Sequence, residues 1–206
     1  MARKTHPRKN EAHRLVAAEV LHRHATNTGE PITLPVPIEM IVELTYELSV
    51  DWDDIPEPPD HNILGALAPT ARTIVMNTRH LPMFDRWIGP ERFTLAHELA
   101  HWIYDAESPD QGTLDLGDGE EVFCRRDDTS TLDDTTKIRE QNANALAAHI
   151  LLPDDLVLAH DLDEVLADFR GTAHAWGVSQ QTLRIKLERL DVLDDADLDR
   201  LDLGLD

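Results

Sequence analysis

The sequence of 206 residues is poor in cysteine and contains a single one, Cys124. One cysteine excludes an internal disulfide and favours a reducing compartment. The sequence also lacks an apolar run of membrane-spanning length, and no apolar segment of signal-peptide type follows its basic N-terminus. From what is missing we expect a cytoplasmic protein that has no membrane partner.

Basic residues are also scarce: the sequence has 19 Lys and Arg but 40 Asp and Glu, and its net charge is -21. Such a surface repels nucleic acid and anionic membranes unless a local basic patch overrides the net charge. Direct DNA binding is therefore not expected. The apolar content of 41% is that of an ordinary globular protein, so the chain can bury one substantial core.

The first half of the chain predicts helices followed by a small sheet. Residues 1–9 form a basic arm that we expect to be disordered, and apolar residues at helical spacing predict helices from about Glu11 to His24 and from Pro37 to Leu48. Short segments rich in aliphatic residues follow: SVDWDDI, NILGALA and RTIVMN. They predict strands, and the short connections between them favour antiparallel pairing.

The second half predicts helices around a long acidic segment. One helix is expected near residues 91–104 and another near 137–152, where Pro153 ends it. Residues 106–136 are acidic and rich in turn residues, with EVFC as one predicted short strand. A helical hairpin over residues 156–190 and an acidic tail over 191–206 complete the chain. The sequence thus predicts an α+β fold.

Residues 97–101, His-Glu-Leu-Ala-His, place two histidines four positions apart within a predicted helix. On a helix, His97 and His101 lie one turn apart on the same face, so both imidazoles can bind one metal ion. Glu98 is rotated by about 100° from His97, where its carboxylate can take a proton from a water bound to the metal. This pattern is typical of zinc peptidases that hydrolyse a peptide bond.

A solvated pair of surface histidines is the alternative interpretation, because this motif also arises by chance. The residues around the motif argue against it, since nearly all of them are apolar. They are Phe93, Leu95, Ala96, Leu99, Ala100, Trp102 and Ile103. A helix buried on most sides holds two histidines and a glutamate only at a high cost in free energy, unless partners satisfy them.

A catalytic zinc needs a third protein ligand. Glu107 is one candidate, and Glu140 is the better one, because it lies on the small-residue face of a later helix. That face also carries Ala143, Asn144, Ala147, Ile150 and Leu151. A lone carboxylate there is costly unless it is paired or coordinated, and an ion pair with a buried arginine such as Arg92 is the alternative. His149 faces the opposite side of the helix.

Two segments together resemble a known paired signature: RFTLAHELAH at residues 92–101 and EQNANALAAHILLP at residues 140–153. They resemble the blocks RFTxAHELGH and ExxANxFAAxLLMP of the ImmA/IrrE family of zinc-dependent metallopeptidases. The positions at which the chain departs from these blocks include Ala100, Leu146 and Leu152, where the family commonly has glycine, phenylalanine and methionine. These changes are conservative and leave the proposed ligands untouched.

The resemblance implies a zincin-like core over roughly residues 10–155, with two metal-bearing helices. It implies His97, His101 and Glu140 as metal ligands, Glu98 as general base, and packing or support of a ligand by Asn144. The implied cofactor is Zn²⁺, with Mn²⁺ as another possible divalent metal. Known members cleave repressors of the helix-turn-helix type. We therefore expect a repressor as protein substrate and release of stress or mobile-element genes as the outcome.

Two features near the site stay open at this point. Tyr104 lies nearly on the face of His97, so its hydroxyl could reach a substrate carbonyl, but a packed aromatic is the more common role. We assign no oxyanion-stabilising residue. The acidic segment from Glu107 to Asp134 is a candidate gate near the cleft.

Residues 171–190, GTAHAWGVSQQTLRIKLERL, have the rhythm of a helix-turn-helix with Ser179 as a helix cap. The second helix carries amide and basic residues that could contact DNA: Gln180, Gln181, Arg184, Lys186 and Arg189. A helical hairpin that packs on the core is the alternative. The acidic charge of the chain favours this second interpretation.

Two functions remain in competition. The first is a zinc endopeptidase that cleaves a repressor, and the second is a non-catalytic regulator that binds a repressor or antitoxin through the same fold. The presence of Glu98 favours the enzyme, because a purely structural zinc site needs no general base.

Overall fold

The computed structural model describes residues 7–59, 62–106, 122–125 and 134–194, together with 197 and 201. Within these residues, helices pack on a small sheet, which confirms the predicted α+β fold. The predicted gate lies outside the described residues except for one strand and the first residue of a helix. Most of the predicted acidic tail also lies outside them.

Four strands form the sheet: β1 (Ser49–Asp53), β2 (Ile63–Ala68), β3 (Thr73–Asn77) and β4 (Val122–Arg125). All four were predicted at these places. Their order is β1-β3-β2-β4, with β2 antiparallel to both β3 and β4 and with β1 parallel to β3. The prediction of an antiparallel sheet is therefore wrong for β1. A short connection favours antiparallel pairing only between successive strands, and β1 pairs with β3 instead of its successor.

The N-terminal helix α1 (Pro7–Thr28) is longer than the periodicity predicts. It begins four residues before Glu11, within the predicted basic arm, whose residues 1–6 lie outside the described part. The extension is polar, so apolar spacing gives no signal there, while Pro7 suits the first turn of a helix. The helix α2 (Ile38–Met40) continues as a π-helical turn over Ile41–Thr45.

Two helices form the centre of the molecule. The short helix α3 (Leu81–Arg86) precedes α4 (Ile88–His101), which continues as a π-helical turn over Trp102–Ala106. The helix α5 (Asp134–Leu151) packs against α4, and α4 also packs against β2 and β3. Fully buried Ala143 and Ala147 line α5. These small residues allow α5 to approach its neighbours closely.

Gly65 permits an equally close approach between α4 and the sheet. A Cβ atom at this position of β2 would lie 2.6 Å from Cγ2 of Thr94 on α4. Two non-bonded carbon atoms do not approach each other this closely in a folded protein. Glycine therefore fits at this position, and a larger residue would require its neighbours to move.

Four short helices follow: α6 (Asp154–Leu158), α7 (Leu162–Ala167), α8 (Phe169–Ala175) and α9 (Gln180–Arg189). Gly177, at φ 67°, turns the chain between α8 and α9, and Ser179 caps α9 by accepting a hydrogen bond from the backbone N–H of Thr182 at 3.0 Å. The predicted cap is thus confirmed. Leu183 and Leu187 of α9 are buried in the main core.

Arg92 of α4 joins this hairpin to the rest of the fold. Its guanidinium donates hydrogen bonds to the carbonyls of Gly177 and Val36 and to the Glu39 carboxylate, the last at 2.6 Å. No helix in the described part of the chain is long and apolar enough to cross a membrane.

Candidate metal centre

The packing of α4 on α5 brings together three residues from distant parts of the sequence. His97 and His101 stand one turn apart on α4, and their Nε2 atoms are 3.0 Å from each other. Glu140 of α5 reaches both rings, with Oε2 at 3.2 Å from His97 Nε2 and Oε1 at 3.3 Å from His101 Nε2. The structure therefore assembles the three residues that the sequence analysis selected.

All three side chains are removed from solvent, as is Glu98. His97 and His101 are each 1% exposed, Glu98 is 0% exposed and Glu140 is 6% exposed. The alternative interpretation, a solvated pair of surface histidines, is thereby excluded. The carboxylate of Glu98 lies near enough to His101 to influence its charge, although it belongs to the next position round the helix. Two imidazoles and two carboxylates thus share one buried region.

The second nitrogen of each imidazole has its own acceptor. Nδ1 of His97 donates to Oδ1 of Asn144, which lies four residues after Glu140 on α5, at 2.9 Å. Nδ1 of His101 faces Oδ2 of Asp105 at 3.4 Å. Such partners fix the tautomer and orientation of a metal-binding imidazole and leave Nε2 as its ligand atom. Asn144, expected on the inward face, is itself exposed, and its side-chain amide reaches back to His97.

Asp105 and Arg139 form a further layer around the histidines. Asp105 lies on the π-helical turn that continues α4, four residues after His101. It accepts a hydrogen bond from Nε of Arg139 on α5 at 2.8 Å. The pair joins the two metal-bearing elements beside the ligands. Sequence analysis missed both residues, although an acidic residue four positions after His101 on a helix is a recognisable spacing.

Charge within the site is balanced between the histidines and the carboxylates. Burial raises the pKa of Glu140, but hydrogen bonds with His101 and His97 outweigh it and lower that pKa to about 2. Burial lowers the pKa of His101, but Asp105 and Glu140 outweigh it and raise that pKa to about 9. Glu140 is therefore ionised at neutral pH. A metal ion that binds here displaces a proton from His101.

The donor set fits a zinc ion. Two imidazole nitrogens and one carboxylate are ligands that catalytic zinc accepts, and three protein ligands leave a coordination position for water or substrate. Atoms bound at 2.0–2.1 Å to one tetrahedral zinc are about 3.3 Å apart, which is close to the 3.0–3.3 Å separations within this group. The buried His-His-Glu cluster could therefore hold a metal ion by its chemistry as well as its spacing.

The alternatives named from the sequence are placed elsewhere or lie outside the described residues. Arg92 pairs with Glu39 and not with Glu140, and Glu107 is outside the described residues. The hydroxyl of Tyr104 lies 2.6 Å from Nδ1 of His13 on α1, and burial raises its pKa to about 12. His149 lies outside the metal cluster, as expected from its position on α5.

Two of the basic residues that α9 could offer to DNA form ion pairs within the protein. Lys186 is 3% exposed and forms an ion pair with Asp154, so it is not available to phosphate. Arg184 is engaged by Glu188 at 2.8 Å within the same helix. Since leucines of this helix are buried in the core, the α8–α9 hairpin is a packing element. It supports the second of the two interpretations given above.

Comparison with known proteins agrees with this geometry. No curated protein matches the chain. The Peptidase_M78 family model, described as the IrrE N-terminal-like domain, matches residues 69–188, which is more than half of the chain. The match includes α4 and α5 with all four site residues, and it extends through most of α9. The chain therefore belongs to the ImmA/IrrE family of metallopeptidase-like proteins.

Proposed function

We propose that the protein is a zinc-dependent endopeptidase whose metal ligands are His97, His101 and Glu140. The proposal rests on one observation: these three side chains are buried, and their ligand atoms lie within 4.8 Å of one another. Membership of a metallopeptidase-like family supports it. The retained glutamate at position 98 supports catalysis over a structural role, because a structural zinc site does not need a base.

Each residue of the site has a separate task in this proposal. Glu98 acts as general base and takes a proton from the attacking water, then passes it to the leaving amine. Zinc, when bound, lowers the pKa of water and polarises the scissile carbonyl. Asn144 and the Asp105–Arg139 pair hold the imidazoles in position.

We further propose that the substrate is a helix-turn-helix repressor, whose cleavage releases stress or mobile-element genes. The resemblance to the ImmA/IrrE peptidases motivates this choice. The net charge of -21 is compatible with it, because a repressor carries a basic surface where it contacts DNA phosphates. Opposite charges accelerate the encounter of two proteins, more so at low ionic strength.

The test is cleavage of a purified helix-turn-helix repressor from the same organism. Zinc-loaded protein should cut it at a defined bond, identified by mass spectrometry of the fragments. Glu98→Gln should reduce the cleavage rate by a factor of about 100 or more, the usual worth of a general base. Glu91→Gln, which changes another glutamate of α4, is the matched control and should keep the activity.

Cleavage that survives Glu98→Gln would contradict the assignment of the base. Stable binding of the repressor by zinc-loaded protein, with no cleavage, would favour the non-catalytic regulator. The two outcomes are separated by running binding and cleavage assays on the same samples.

A further inference from the structure

A polar cavity lies apart from the cluster of His97, His101 and Glu140. It has a volume of about 230 Å³ and lies between α1, the C-terminal end of α5, the start of α6 and α9. Its lining is almost entirely charged or polar: Glu11, Arg14, His149, Asp154, Lys186, Arg189 and Leu190. Nothing in the proposed peptidase chemistry uses these residues.

The charge around this cavity is opposite in sign to that of the whole protein. Three cations, Arg14, Lys186 and Arg189, face two carboxylates, whereas acidic residues outnumber basic ones by 40 to 19 in the chain. Arg14 and Arg189 are exposed and form no ion pair with any residue that the structure describes. The described residues that line the cavity therefore carry one positive charge in excess.

The buried part of the cavity wall shows the same imbalance. Lys186 is 3% exposed and is shared between Asp154, its ion-pair partner, and Nδ1 of His149 at 3.4 Å. Nδ1 of His149 also lies 3.5 Å from Oδ1 of Asp154, so these three side chains form one buried group. The buried Nε2 of His149 has no hydrogen-bond partner among the described residues. A buried polar atom without a partner is costly, so a polar ligand is expected in this cavity.

We propose that this cavity is a binding site for a small phosphate-type oxyanion. A dianion would neutralise the uncompensated guanidinium groups of Arg14 and Arg189 by charge-assisted hydrogen bonds. Lys186 would add the attraction of its charge from the cavity wall without a direct bond, because it is buried and paired with Asp154. Burial and the neighbouring cation Lys186 both lower the pKa of His149, to about 4, which is consistent with a surplus of positive charge there.

The size of the cavity limits the ligand. At about 230 Å³ it is smaller than the 300–1,000 Å³ of sites for drug-sized molecules. Inorganic phosphate or the phosphate group of a small phosphorylated metabolite fits this volume, and a nucleic-acid strand does not. The ligand would hold α1 and α9 against α5, the helix that also carries Glu140.

The test is a calorimetric titration of the full chain with inorganic phosphate and, separately, with glycerol phosphate. Both should bind at one site, with equal affinity whether or not zinc is present, because the cavity is separate from the metal cluster. Tighter binding of the ester would identify a phosphorylated metabolite as the ligand class, and tighter or equal binding of the free ion would identify phosphate itself.

Variants locate the site. Arg14→Gln and Arg189→Gln should each weaken phosphate binding by about tenfold or more, since a hydrogen bond to a charged group is worth at least that factor. Both residues are exposed, so the fold is retained. Arg170→Gln removes the same charge from an exposed position on α8 that does not line the cavity, and it should leave the affinity unchanged.

Three results would overturn the proposal: no binding of either phosphate by the unmodified chain, binding only when zinc is loaded, or equal weakening by all three variants. The last would show a general effect of charge rather than a site.

Discussion

At the scale of single residues, Asn144 orients His97, because the amide oxygen of Asn144 accepts the Nδ1 proton of His97 at 2.9 Å. In Asn144→Leu this acceptor is lost, and the imidazole is free to rotate or to change tautomer. We expect zinc affinity to fall by about 10- to 100-fold, the range found for such partners of metal ligands. Competition with a fluorescent zinc chelator measures the change.

Gln141→Leu is the control for this substitution, since Gln141 is also an exposed amide residue on α5. Equal zinc affinity in the unmodified protein and Asn144→Leu would contradict the role given to the amide.

His149 makes the stability of the protein depend on pH. Burial, followed by the charge of Lys186, lowers the pKa of His149 from 6.5 to about 4 in the folded state. The unfolded chain therefore takes up a proton at higher pH than the folded one. The stability that goes with a neutral His149 is fully present above pH 6.5 and is lost as the pH falls towards 4. For this single group the loss between pH 7 and pH 5 is about 2 kcal/mol.

His149→Asn should remove that dependence while keeping an oxygen close to Lys186. Urea unfolding at pH 7 and pH 5 measures it, with the other ten histidines common to both proteins. The free energy of unfolding of the unmodified protein should fall by about 2 kcal/mol more than that of the variant. An identical fall in both would show that His149 does not stay neutral in the folded state.

Much of the site could be predicted at this scale. The spacing of His97, Glu98 and His101 needs only helical geometry, and Glu140 follows from the cost of a carboxylate on an apolar helix face. The metal role of these residues stays a prediction, although the structure brings them together. The Asp105–Arg139 pair was not predicted, because the two residues meet only when α4 packs against α5. No local sequence pattern indicates that packing.

At the scale of elements, the distance between α4 and the sheet depends on Gly65. In Gly65→Ala the new methyl group would lie 2.6 Å from Cγ2 of Thr94, so the Thr94 side chain, the helix or the strand must shift. Overpacking of this kind destabilises a protein by about 1–3 kcal/mol. A lower midpoint of thermal unfolding, measured with metal removed, is the expected result.

A second substitution isolates the cause. Thr94→Ser removes Cγ2 but keeps the hydroxyl, which donates to the carbonyl of Pro90 at 2.9 Å. In the Gly65→Ala background it should restore part of the lost stability, because the clash is relieved. If Thr94→Ser only adds a further loss, the close approach at Gly65 is not the reason for the effect.

The elements themselves were predictable where their pattern is local. The positions of all four strands follow from short aliphatic segments between turn residues. The parallel pairing of β1 with β3 was not predictable in this way, because it depends on which strand reaches the sheet edge. The π-helical turn after His101 likewise arises from tertiary packing, and it is the turn that carries Asp105.

At the scale of the whole molecule, the charge distribution disfavours the binding of nucleic acid and favours the binding of a small anion at one cavity. The net charge of -21 disfavours contact with a nucleic-acid backbone, and the buried Lys186 removes a basic residue from the one helix that resembles a DNA reader. Among the described residues, a local excess of positive charge lies at the small cavity between α1 and α9. Composition predicts the first property, but only the fold brings together Arg14, His149 and Arg189.

Zinc content per chain is the measurement that tests the central claim most directly. After zinc-supplemented purification and gel filtration, elemental analysis should find about one zinc ion per chain in the unmodified protein and in Glu98→Gln. His97→Ala and Glu140→Ala should each lose most of the bound zinc, because each removes one of three protein ligands. A chain that holds no zinc, or one that keeps its zinc in Glu140→Ala, would contradict the proposed metal centre.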